Sequence, residues 1–175
     1  MIARINDKAE KALRAAIGDV VRLEEGASLP SLDALSEQER TEALGLAVAI
    51  TSYVLIEACG VQWPVRNSIQ KIARTLATTS SNAERLHLDP GEIEAYLSRA
   101  VFGRDRMEDV IPDEPAFTRL PVIVAGEALA VYSKGYDSMW DYLDVVEAGV
   151  EEASALNARV LPAAVMLAYM KPPSE

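Results

Sequence analysis

Between Glu42 and Cys59 the chain reads EALGLAVAITSYVLIEAC, and its apolar side chains do not keep to one stripe of a 3.6-residue helix. Leu44, Val48 and Leu55 point one way, Ala47, Ile50, Val54 and Ala58 another, and Leu46 and Tyr53 a third. A helix that is apolar all round is one buried on most sides. The remaining side holds Gly45, Ala49, Ser52 and Cys59, small residues that let a neighbouring backbone come close. Ser36 followed by Glu39 forms a capping box at the start, and Gly60 offers a C-terminal cap. The pattern predicts a central helix near 40–59 around which the rest of the chain packs.

Amphipathic periods flank it. Residues 2–24 place Ile2, Ile5, Ala9, Leu13, Ala16, Ile17, Val20 and Leu23 on one face and Lys8, Lys11, Arg14 and Arg22 on the other. Residues 27–35 read as a linker broken by Pro30. A helix over 65–77 sets Val65, Ile69, Ile72, Ala73 and Leu76 against a face of Arg66, Asn67, Gln70, Lys71 and Arg74. Asp89-Pro90 starts a helix to about 102, with Asp89 as its cap. A short helical turn is expected over 83–88 and a charged loop over 104–115. Asp113 can cap a helix that begins at Glu114-Pro115 and runs to about Tyr132, and since the stretch Leu120–Val131 is apolar on most sides, the helix near 116–132 is a second buried one. Pro121 either kinks that helix or marks its start. Residues 137–156 read as an amphipathic helix with Trp140, Leu143, Val146 and Val150 as its core stripe. A last, nearly uncharged helix is expected near 158–170, either buried or in contact with a second copy of the chain in a homodimer. No strand alternation is found. The expected fold class is all-α, a single domain over 1–175, built as a bundle of about six or seven helices.

Composition narrows the classes. Half of the 175 residues are apolar and a quarter charged, with a single cysteine, Cys59, so no intramolecular disulfide can form. That suits a cytoplasmic location, and the N-terminus has no apolar stretch like a signal peptide. The central helix approaches the length of a membrane span, but Glu57 would be costly at that depth, and the expectation is no membrane role. The net charge of −10 is concentrated: residues 107–157 hold eleven acids and two bases, Arg119 and Lys134. Such a surface repels nucleic acid and attracts basic partners.

Candidate chemistry is sparse. Asp137, Asp141, Asp144, Glu147 and Glu151 recur at steps of four, three, three and four residues, which lines them along one helix face opposite Trp140, Leu143 and Val146. The stripe is expected to face water, as a solvated or partner-docking face rather than a metal site. Tyr53 and Glu57, one turn apart, mark a possible pocket with Arg66; a buried Glu57 would need Arg66 or Arg119 as counter-charge, whereas at the helix end it reaches water. The glycine turn after Cys59, followed by Arg66, Gln70, Lys71 and Arg74, has the outline of a helix-turn-helix, but Ile56 is bulky where a small residue is needed. His87 is the single histidine, so paired-histidine metal sites are excluded. No phosphate-binding loop, dinucleotide fingerprint, HExxH, CxxC or GxSxG motif is present, and no cofactor is expected. The reading is a non-enzymatic interaction or regulatory protein, antitoxin-, immunity- or adaptor-like, whose acidic 107–157 surface meets a basic protein partner. An enzyme or small-ligand binder with a pocket near Glu57, and a helix-turn-helix DNA-binding regulator, are the alternatives.

Overall fold

A computed structural model describes residues 5–22, 29–59, 66–79, 88–102 and 119–157. Among these residues the chain forms seven helices and no strand: α1 (Asp7–Arg22), α2 (Pro30–Asp33), α3 (Glu37–Ala58), α4 (Arg66–Thr79), α5 (Pro90–Phe102), α6 (Leu120–Tyr132) and α7 (Met139–Asn157). The expected helix near 158–170, the turn over 83–88 and the loop over 104–115 lie wholly or almost wholly outside the described residues.

The capping box forms as the sequence indicates. The Ser36 hydroxyl accepts the Glu39 N–H at 3.3 Å, and the Glu39 carboxylate accepts the Ser36 N–H at 2.9 Å. Lys8 of α1 donates to the same carboxylate at 2.7 Å, and that bond, with those from Ser36, lowers the Glu39 carboxyl to about 2. From Leu46 to Ile56 every residue of α3 is buried, which is three helical turns with no side left to water. α6, α1, α7, α5 and α2 pack around it, α6 most extensively, while α4 stands outside against α5 and α6. Two polar side chains sit within this stretch, Thr51 and Ser52, both wholly buried. Each donates its hydroxyl to the carbonyl four residues back, Ala47 and Val48, at 2.9 Å. The helix thereby satisfies its own buried hydroxyls.

The wrapping helices bury the stripes expected of them. Ala9, Leu13, Ala16, Ile17 and Val20 of α1 are at most 1% exposed. α6 meets α1 at Gly126, where a Cβ would stand 3.5 Å from Ile17. Pro121 lies in the first turn of α6 and marks its start. The linker reading of 27–35 is corrected: Pro30 opens the one-turn helix α2 rather than breaking the chain. Proline suits a first helical turn, where its missing N–H costs nothing, and Leu29, Leu32 and Leu35 are buried beside it. Arg40 donates to the carbonyls of Leu32 and Asp33 at 3.3 Å, closing the end of α2.

Two glycines show how close the outer helices come. A Cβ on Gly149 of α7 would stand 2.8 Å from Cζ and the hydroxyl of Tyr53 on α3, a ring that is itself buried. At Gly18 of α1 the nearest atoms, on Trp140, are 3.7 Å away, an ordinary contact. Gly149→Ala is therefore expected to destabilise the protein by about 1–3 kcal/mol through overpacking. Gly18→Ala is expected to raise stability by about 0.5–1 kcal/mol, as alanine replaces glycine inside a helix. Urea unfolding of the two variants beside the wild type measures both.

Candidate functional site

α7 carries four of the five acids of the stripe, Asp137 standing in the turn before it, and the structure gives all four partners within the fold. Ser138 caps the helix: its hydroxyl accepts the Asp141 N–H at 3.2 Å and donates to Asp141 Oδ2 at 2.7 Å. Asp141 is exposed but helps start its own helix. Asp137, in the preceding turn, is exposed. Further along, Arg14 of α1 gathers three carboxylates. Its Nη2 donates to Asp144 Oδ1 at 2.6 Å and to Glu147 Oε2, and its Nε lies 3.1 Å from Glu10 Oε1. At the far end the Ile5 N–H donates to Glu151 Oε1 at 3.1 Å. With Trp140 against Gly18, these contacts run in opposite order along the two helices, so α1 and α7 lie antiparallel.

The expectation that the whole stripe faces water is corrected at Glu147, which is only 7% exposed. The apolar arc of α7 is wider than its core stripe, since Tyr142, Leu143, Val146, Gly149 and Val150 are all buried. Glu147 follows Leu143 by four residues and precedes Val150 by three, so it falls on the edge of that arc and under α1. Burial pushes its carboxyl up to about 7; Arg14 pulls it back, while Glu10 and Asp144 push it further up. Its Oε1 is buried without a hydrogen-bond partner among the described residues.

A second grouping forms where the end of α3 meets the start of α7. Glu57 is exposed on the last turn of α3. The hydroxyl of Tyr142 donates to its Oε2 at 2.7 Å. Tyr142 is buried, and burial, then the bond to Glu57, raises the phenol pKa so that it stays a donor. The Tyr136 ring rests on Tyr142 with centroids 4.7 Å apart. Tyr53, one turn before Glu57, is buried against Gly149. The structure therefore joins Tyr53 and Glu57 to Tyr142 and Tyr136, two residues the sequence did not single out. The side chain of Arg66, the third expected member, lies outside the described residues, as does His87.

Other candidates fall elsewhere. A cavity of about 280 Å³ lies beside α5, lined by Asp89, Glu92, Ala95, Tyr96, Arg99 and Leu120, and includes none of the residues above. Cys59 is half-buried, and burial raises its thiol pKa. On α4, Lys71 and Arg74 are exposed, and Gln70 donates to Glu94 of α5 at 3.0 Å. Among the described residues no group of three or more histidines, cysteines or acids is placed to hold a metal ion. Glu127, one of the eleven acids between 107 and 157, is 1% exposed inside α6. No known protein family, curated protein or solved structure matches this chain.

The Glu147 cluster makes stability pH-dependent with a definite sign. Its carboxyl binds protons more tightly in the folded chain, at about 7, than at the ordinary 4.5. The proton it holds stabilises the fold at acidic pH, and that contribution is lost as pH rises from about 4.5 to about 7. The loss amounts to about 3 kcal/mol for a shift of this size. Unfolding free energies measured from pH 5 to pH 8 are expected to fall more steeply for the wild type than for Glu147→Gln, whose neutral amide has no proton to lose.

Proposed function

We propose that this is a non-enzymatic interaction protein that presents an acidic helical surface to a basic protein partner, in the manner of an antitoxin, immunity or adaptor protein. The observation that carries the reading is the outer face at the start of α7. Tyr136 and Val145 are the large apolar side chains left exposed among the described residues, at 39% and 43%. Asp137, Asp141 and Asp144 lie around them, all exposed, and Lys134 is the single base between 134 and 152. An apolar centre with a charged rim is the usual anatomy of a protein interface, and the sign of the rim selects a basic partner and speeds its approach. The surface is narrower than the sequence pattern, because Glu147 and Glu151 are engaged by α1 and Asp144, though exposed, already pairs with Arg14. The free, half-buried thiol of Cys59 fits the reducing cytoplasm in which this reading places the protein.

The test is capture from lysate of the source cells at low and high salt, with the wild type and with a variant carrying Asp137→Lys and Val145→Lys. Both positions are exposed, so the variant keeps the fold. The wild type is expected to retain a basic protein that is released by salt and that the variant binds at least about tenfold more weakly, a loss of about 1.4 kcal/mol. Equal capture by the variant, or capture indifferent to salt, contradicts the proposal.

A further inference from the structure

We infer that Glu57, with the rings of Tyr136 and Tyr142, anchors an arginine side chain of that basic partner. The inference rests on the proposed function and names the contact at its centre.

Glu57 stands on the last turn of α3, where the helix carbonyls carry the negative end of the dipole. The Tyr142 hydroxyl holds one carboxylate oxygen, and Tyr142 cannot swing away because its ring is buried. The other oxygen, Oε1, has no hydrogen-bond or ion-pair partner among the described side chains. The carboxylate is thus oriented by the protein and still able to accept. Beside it, the backbone places an aromatic face at the surface. Gly135 takes a φ of 101°, a conformation that costs glycine little, and the Tyr136 N–H donates to the Ser133 carbonyl at 3.1 Å. This turn lays Tyr136 on Tyr142 while leaving it 39% exposed.

A carboxylate with an open oxygen and an exposed tyrosine ring linked to it through one buried phenol together suit a planar cation. A guanidinium can stack on the ring and turn its N–H fork to the carboxylate, which a compact ammonium does less well. Asp137 and Asp141 add negative charge on the same turn and helix start. Among the described side chains, which do not include that of Arg66, no lysine or arginine pairs with Glu57. Because Glu57 is exposed, an incoming cation meets it without the large cost of burying an unpaired charge.

The test is a titration of the full chain, with labelled backbone amides and tyrosine rings, using a short alternating glycine–arginine peptide and its neutral citrulline counterpart. The ring resonances of Tyr136 and Tyr142 are expected to shift with the arginine peptide and not with the citrulline one. Glu57→Gln, which keeps an acceptor for Tyr142, is expected to weaken binding about tenfold, and Tyr136→Leu about threefold. Identical responses to the two peptides, or Glu57→Gln binding within about twofold of wild type, overturns the anchor. Shifts confined to Asp144 and Val145 also overturn it while leaving the acidic-surface reading intact. If nothing moves on α7 or at the end of α3, both readings fall.

Discussion

Three turns of α3 have no polar side to give to water, and the rest of the bundle follows from that. An amphipathic helix needs one neighbour, whereas this one needs a ring of them. Fully burying side chains such as Ile50 and Leu55, both at most 1% exposed, contributes roughly 1.5–3 kcal/mol each. The two buried hydroxyls of this stretch do not oppose it, since Thr51 and Ser52 bond to their own helix. α1, α5, α6 and α7 are held where they are because each covers part of α3. The charged faces of α1, α5 and α7 are mostly outward as a consequence, and the acidic face of α7 becomes a surface feature fixed by a core requirement.

The same requirement concentrates chemistry at the joints between the wrapping helices. Where α1 and α7 close over the core, an acid at the margin of a wide apolar arc is drawn under cover, which is how Glu147 comes to be buried beside Arg14. Where α7 meets the end of α3, a buried phenol needs an acceptor, and the exposed Glu57 supplies one. Both contacts join residues far apart in sequence. One draws an ionisable group inward and makes stability depend on pH. The other fixes an ionisable group at the surface and leaves it open. The first consumes part of the acidic stripe, and the second moves the centre of the surface toward the start of α7.

Much of the architecture is legible in local sequence because its causes are local. The Ser36–Glu39 box, the Asp89-Pro90 start and the all-round apolar character of α3 each act within a few residues. The structure shows each of them. The helix α2 is not legible from Pro30 alone, because proline is equally a breaker and a starter; the signal for it is the three nearby leucines that anchor the turn. The cap at Ser138 was also readable, as Ser138 with Asp141 three residues on, but Asp141 was assigned wholly to the stripe. What no local pattern encodes is pairing across the fold. Arg14 meets Asp144 and Glu147 over separations of 130 and 133 residues. The union of Tyr142 with Glu57 likewise depends on how α7 is laid against α3. Even so, the burial of Glu147 had a sequence signal, its spacing of four from Leu143 and three from Val150.

Native-state hydrogen exchange is the most direct test of α3 as the organising element. The backbone amides of 46–56 are expected to exchange only through global unfolding, with free energies equal to the stability of the whole protein and the full denaturant dependence. Amides of α1 and α4, which cover it or stand outside it, are expected to open at lower cost. If the middle of α3 exchanges through smaller openings, or faster than α4, then the bundle is not built around this helix.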